Sequence, residues 1–333
     1  MGSSTTSEVS AEFLAAFREI ADETGFVSFE RFMELALYHP VLGYYRRAND
    51  RVGRRHGTDF YTSTSMGPVF GELVIAAIAQ IAGNIPLSDY TFVELGSESG
   101  ASILDACPNH PFAAVRTVGV DDTPELTGRL IVFSNELFDA QPCARLVRTK
   151  AGWDELGVVA ASGQLHEVRR PAGHEQLSSL PASPPPGYRL DAPFRATTLL
   201  RQLARQPWQG LFLAFDYGKT EHELLHECPI GTVRAYHQHR QITDLLARPG
   251  EQDLTCHICW DWLANELRDH RFVVNAVESQ EAFFTHHSAS ALARIMQEEA
   301  SRMSARKSGL LQLLHPAALG QKFQALSAVR ELS

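Results

Sequence analysis

Two clusters of residues in this sequence have the types and spacing to do chemistry. The first is Val93-Glu94-Leu95-Gly96-Ser97-Glu98-Ser99-Gly100, an apolar run broken by glycine. Glycine at a strand exit lets the backbone take φ above zero and approach a ligand closely. A helix starting just beyond it would present free amides to an anionic group, such as the carboxylate of an amino-acid moiety. The same pattern is also common as a purely structural turn. The second cluster is Ser134-Asn135-Glu136-Leu137-Phe138-Asp139-Ala140-Gln141-Pro142. Polar and acidic groups sit just past an apolar run, and Pro142 ends the local turn. A carboxylate there could hold a cationic or amine nucleophile and orient its lone pair, which is much of what in-line displacement requires. These residues read equally well as a helix N-cap followed by an amphipathic turn.

The elements that must position these clusters follow from periodicity. Residues 11–38 read as two amphipathic helices, the second capped by Ser28 and ended near His39-Pro40. Residues 43–64 form an ordered loop carrying Tyr44, Tyr45, Phe60 and Tyr61, and 67–81 turn helical. Tyr90 to Leu95 is a short strand, Gly96 breaks it, and Ala101 to Cys107 continues as a helix. This is the opening unit of a doubly wound sheet. Further strands are expected at 114–120, 129–133 and 211–215, each with a carboxylate at or near its end. Ligands of open α/β sheets bind at the carboxyl ends of strands, so the recurrence matters. A strand pair at 153–168 lies outside that sheet, and 177–189 is a Pro- and Ser-rich surface loop. Helix and strand follow over 261–278, then a helix over 288–303 and small helical segments to the end. The organisation expected is N-terminal helices and a loop (1–75), a core (76–285) with an insertion at about 150–208 and an added segment at about 219–260, and C-terminal helices (286–333).

Composition narrows the classes. The 333 residues carry a formal net charge of -9, which disfavours non-specific nucleic-acid binding and suits a basic partner. No apolar run reaches the roughly 18 residues needed to span a bilayer, so no membrane segment is expected. The first ten residues read as neither a secretory nor a mitochondrial leader, giving a cytoplasmic expectation. The five cysteines are read as reduced thiols. Cys256-His257-Ile258-Cys259 has the spacing of half a zinc site, but no second Cys pair completes it, and no metal is expected. Trp208, Trp260 and Trp262 read as packing residues. His222 and His226 read as one exposed helical face, His286-His287 as solvated, and Arg46, Arg47, Arg51, Arg54 and Arg55 as a basic loop.

The motifs, taken in order, carry a resemblance. Phe32-Met33-Glu34, Leu37-Tyr38-His39-Pro40 and Gly43-Tyr44-Tyr45 open it. Asp59-Phe60-Tyr61-Thr62-Ser63 with Phe70-Gly71, then Glu94-Leu95-Gly96, then Asn135-Glu136 with Phe138-Asp139-Ala140 and Pro142 continue it. Asp216-Tyr217-Gly218, Arg234-Ala235-Tyr236 with His239, and Pro249-Gly250-Glu251 with Asp253-Leu254-Thr255 complete it. Across residues 28–275 this resembles the MidA-like family, which includes a mitochondrial complex I assembly arginine methyltransferase. The resemblance implies an α/β fold: a class I methyltransferase (Rossmann-like) doubly wound sheet with an N-terminal helical segment and an added lobe. It implies S-adenosyl-L-methionine as cofactor and a protein acceptor, with arginine as one candidate. In this reading Glu94, Gly96, Gly100, Asp121, Ser134 and Asn135 shape the cofactor pocket. Glu136 and Asp139 position the nucleophile, assisted by Asp59 and Tyr61.

The departures sustain a rival reading. The family turn usually reads Gly-Pro-Gly-Arg-Gly, whereas here Glu98 replaces the middle glycine and sets a negative charge near the cofactor's carboxylate. The stretch between Gly100 and Arg129 is short, and Cys259 stands where an acid is expected. An impaired methyltransferase fold serving as a protein-binding or assembly factor would tolerate these changes. A dinucleotide-dependent dehydrogenase fits less well, because the full Gly-x-Gly-x-x-Gly pattern is missing.

Overall fold

Three apolar runs are too uniformly hydrophobic to face water on either side, and each becomes a strand buried on both faces. In the computed structural model they are β1 (Thr91–Leu95), β3 (Gly128–Asn135) and β4 (Trp208–Asp216), with the more exposed β2 (Ala114–Val118) at the sheet edge. The residues described are 9–46, 68–97, 100–120, 122–173, 177, 180, 183–238, 240–301 and 304–331. β1 pairs in parallel with β2 on one side and β3 on the other, and β3 pairs in parallel with β4. Strand order therefore reverses at β1, the kind of switch point beside which open α/β sheets bind ligands. The sheet continues through β5 (Val273–Val274), β6 (Glu278–Ser279) and β7 (Gln324–Arg330), giving seven strands. β7 runs antiparallel to β4 and to both short strands.

One face of this sheet packs on the helices Pro68–Ala82, Gln280–His287, Ala289–Glu298 and Ala305–Leu314. Phe215 is the hub of an aromatic layer, with ring centroids 5.6 Å from Phe70 and 5.2 Å from Phe284. Side chains alternate along a strand. Phe133 and Phe215 therefore share this face, while Ser134 and Asp216 fall on the other.

Two expectations are corrected. Residues 101–107 form turns, not a helix. Asp105 Oδ2 accepts from the Ser102 amide, the Glu94 carboxylate accepts from the Ile103 amide, and Pro108 disfavours helical backbone at Cys107. Local side-chain bonds thus outcompete the helical ladder. The end of the chain, read as small helical segments, keeps the helix Ala305–Leu314 but closes on strand β7. Its Ala325, Leu326, Ser327 and Ala328 are all buried, and seven register pairs to β4 override the local propensity.

The chain divides into two compact units. The sheet just described belongs to the unit made of Tyr61–Phe138, Thr198–Gly218 and Trp260–Ser333. The other unit, Met1–Phe60, Asp139–Thr197 and Lys219–Cys259, is built around a five-stranded antiparallel sheet. Its central hairpin joins Trp153–Ala161 to Gln164–Pro171, confirming a strand pair in this region outside the parallel sheet. Strands Phe26–Ser28, Ala144–Arg148 and Arg189–Ala192 complete it. Helix Ala11–Ile20 and helix Phe29–Tyr38 bury Phe13, Phe17, Phe29 and Phe32 in the same core, and Ser28 Oγ caps the second by accepting from the Arg31 amide at 3.3 Å. Arg145, 5% exposed, is held by Asp191 at 2.9 Å and Glu167 at 2.8 Å. The remaining Asp191 oxygen accepts from the amides of Thr232 and Val233, so this buried charge is fully engaged.

Candidate active site

The end of β3 concentrates the polar groups. Ser134 is wholly buried, and register pairs it with Leu95 of β1 and Ala214 of β4. Its hydroxyl has no hydrogen-bond partner among the described residues, and neither has the Asn135 Oδ1 oxygen. Glu136 then leaves the strand with φ of +52°, a conformation that non-glycine residues adopt at a cost. Its amide donates to the Phe215 carbonyl at 3.0 Å, and its carboxylate accepts from Asn135 Nδ2 at 2.9 Å. In a continuing strand adjacent side chains point to opposite faces, so the left-handed turn is what brings these two together.

Asp216, fully buried at the end of β4, fixes the next turn: one oxygen accepts from the Phe138 amide at 2.9 Å and the other from the Tyr217 amide at 2.8 Å. Sequence reading gave Asp216 no role of its own. Its signal was an acid closing an apolar strand before Tyr-Gly.

The turn after β1 departs from expectation. Gly96 and Gly100 do adopt positive φ, at +75° and +72°. However, the Gly96 and Ser97 amides both donate to the Val118 carbonyl, and among the described residues no α-helix follows before the turns at 103–106. Those two amides are therefore engaged by the edge strand. Glu94 lies on the same face as Phe92, opposite Ser134. It accepts from Ser102 Oγ at 2.7 Å and the Ile103 amide at 2.9 Å, pinning the following loop. Burial raises the pKa of its carboxyl, and these two hydrogen bonds work against that rise. Asp122 Oδ2 accepts from the Gly119 amide at 2.7 Å. Asp121, Asp59, Tyr61, Glu98 and His239 lie outside the described residues.

Asp139 belongs to the other unit, where it is 3% exposed and its carbonyl accepts from the Cys256 amide at 2.8 Å. The neighbouring Ala140 carbonyl accepts from the Tyr38 hydroxyl at 2.9 Å. Tyr45 donates to Asp253 Oδ1 at 3.0 Å and stacks on Tyr38 with centroids 5.3 Å apart. Burial, then the charge of Asp253, drives both phenols well above the usual tyrosine range, so they remain proton donors. The paired motifs around Tyr45 and Asp253, 208 residues apart, thus meet as one hydrogen-bonded cluster. Cys256 and Cys259 are buried, while His286 and His287, read as solvated, both bind the Glu278 carboxylate.

Comparison with known proteins gives this geometry its chemistry. Residues 66–276 match a family described as "Putative S-adenosyl-L-methionine-dependent methyltransferase". The chain belongs to this methyltransferase family. Its relatives include the mitochondrial protein arginine methyltransferase NDUFAF7 of Danio rerio, 24% identical with 92% of this chain and 84% of the relative covered. The Xenopus laevis protein of the same name is 23% identical over 92% of this chain and 82% of its own length. A Burkholderia thailandensis protein solved with S-adenosyl-homocysteine superposes with a TM-score of 0.83 at 24% identity, covering 97% of this chain and 92% of that one. That likeness establishes the class I methyltransferase fold.

The methyltransferase takes S-adenosyl-L-methionine as its cofactor, and the residues at the switch point suit that group. A wholly buried hydroxyl without a partner among the described residues, that of Ser134, lies one residue from the end of β3, level with the last residue of β1. Burying such a group unpaired costs about 1–3 kcal/mol, a cost that a polar ligand atom would offset. Ser134 and the Gly96 turn would hold the cofactor, while Glu94 shapes the loop beside it. When bound, the cofactor supplies an electrophilic methyl group on sulfur.

Proposed function

We propose that this methyltransferase modifies a protein acceptor, and that the accepting nitrogen belongs to an arginine. The observation that carries this is Glu136, held at φ of +52° beyond the last residue of β3, with Asn135 fixing its carboxylate. A carboxylate is a planar acceptor that matches a guanidinium fork, and its charge complements the acceptor's. Relatives covering 92% of this chain are named protein arginine methyltransferases, and the net charge of -9 favours a basic acceptor. Holding the guanidinium in one orientation aims a nitrogen lone pair along the line of displacement.

The test is transfer of isotope-labelled methyl groups from S-adenosyl-L-methionine to basic proteins, followed by hydrolysis and separation of the methylated amino acids. Label recovered as methylarginine, and lost in Glu136→Gln, supports the reading. Label in methyllysine, or none under conditions where the cofactor binds, sinks it. The scaffold alternative draws on the Gly96 and Ser97 amides being occupied by Val118. Calorimetric titration with S-adenosyl-L-methionine and S-adenosyl-homocysteine separates the two, because a decayed pocket binds neither at micromolar concentration.

A further inference from the structure

The helix Glu221–His226 stands apart in sequence from the residues assigned to methyl transfer, and its exposed face carries two side chains of a metal-ligating type. Its start is fixed by a capping box: Thr220 Oγ1 accepts from the Glu223 amide, and the Glu223 carboxylate accepts from the Thr220 amide. Leu224 and Leu225 are buried on one side, while His222 and His226 are exposed on the other. Four residues apart, these two are neighbours across one helical turn, and their ring centroids lie 4.8 Å from each other. That separation is the one a shared ion requires. An imidazole nitrogen sits about 2 Å from a zinc-sized ion, which puts the ring centroid about 3.2 Å from it. Two rings on one ion are then about 4.5 Å apart at a right angle and about 5.2 Å apart in a tetrahedron. His286 and His287 do not meet this condition, with centroids 6.4 Å apart and both rings engaged by Glu278.

We propose that His222 and His226 chelate one divalent transition-metal ion of the nickel, copper and zinc class, each through one imidazole nitrogen, with water in the remaining positions. Imidazole suits these ions, whereas magnesium and calcium take carboxylate, carbonyl and water oxygens. Among the described residues no group of three or more His, Cys, Asp or Glu side chains could hold a metal ion, so the site is a two-ligand one on the surface. Glu227 Oε1 lies 3.9 Å from His222 Nε2, and its negative charge favours a cation beside that ring. The two rings act together because the helix holds the second at high effective concentration once the first has bound. The ion in turn ties residues 222 and 226 across one turn, so it binds the folded helix and stabilises it. That helix is joined to the antiparallel sheet beside it, since the Leu224 carbonyl accepts from the Tyr188 hydroxyl at 2.8 Å.

The experiment uses the full chain, untagged and stripped of metal with a chelator. Nickel, zinc and magnesium chlorides are titrated by calorimetry into the native protein, His222→Ala, His226→Ala and His286→Ala. Proton NMR follows the imidazole signals, and urea melts with and without nickel report the fold of each variant. The expected result is one nickel or zinc ion bound per native chain, with nickel the tighter or equal and magnesium not bound. Either His222→Ala or His226→Ala should weaken nickel binding about tenfold or more, because each removes one arm of the chelate. Nickel should raise the urea midpoint of the native protein and of His286→Ala, but of neither helix variant. Substoichiometric nickel should broaden the His222 and His226 signals ahead of every other histidine. Nickel affinity unchanged in both helix variants overturns the proposal, and so does loss of binding in His286→Ala, which would place the ion at Glu278. Native protein that binds neither nickel nor zinc overturns it as well.

Discussion

At the residue scale, the polar end of β3 carries costs that folding alone does not repay. Glu136 occupies a left-handed conformation at φ of +52°, where glycine suffers no penalty. Glu136→Gly should therefore be more stable than Glu136→Ala by about 1 kcal/mol in thermal or urea melts, although both lose methyl transfer. Equal stability would mean that the turn is not strained. Ser134 makes the complementary case. Its buried hydroxyl lacks a partner among the described residues, so Ser134→Ala should leave the ligand-free chain as stable as before, or stabler by up to about 1 kcal/mol. The rise in Tm caused by S-adenosyl-homocysteine should shrink in the same variant. A full-sized rise would show that the hydroxyl does not serve the cofactor.

At the element scale, the strand hardest to read from sequence is anchored by a single cation. Arg330, the last residue of β7, donates to the backbone carbonyls of Ala204, Gln206, Trp208 and His270. Its guanidinium carbon also lies 5.1 Å from the Trp208 ring centroid and 4.4 Å from that of Phe272. Burial lowers its pKa, so these carbonyls must compensate the desolvated charge. Arg330→Ala should cost about 2–4 kcal/mol, and Arg330→Lys should recover less than half of it, because an ammonium cannot span four carbonyls. Urea midpoints of the two variants check this, and full rescue by lysine would show that charge matters rather than the fork. β7 was not legible because Ala, Leu and Gln favour helix in isolation, and only pairing along β4 makes them a strand. The 101–107 segment failed in the opposite sense: Asp105 and Glu94 capture the amides that a helix would have used.

At the scale of the whole molecule, acid sensitivity has an identifiable contributor. His257 is pushed down from 6.5 to about 4, mainly by burial and then by the positive charges of Lys219 and Arg234. The unfolded chain takes up this proton near pH 6.5, the folded chain only near pH 4, so between them the unfolded state binds more. The contribution of His257 is thus complete above pH 6.5 and is lost as pH falls towards 4, on the order of 3 kcal/mol in all. His257→Gln should flatten the fall in urea midpoint between pH 6.5 and 4.5. An unchanged slope would assign the acid sensitivity to carboxylates instead.

The sequence by itself determined the class of fold and the place of the site. Uniformly apolar runs ending in polar residues can only be buried strands, and motif order is a property of the chain, so β1, β3, β4 and the residues after them were legible. What those polar side chains bond to was decided by tertiary structure. Glu94 proved to serve its own loop, and Asp216 proved to fix the turn after Glu136. The pairing of Tyr45 with Asp253 spans 208 residues of chain. Hydrogen bonds of that kind depend on register and on distant backbone, and no local pattern of residue types encodes them.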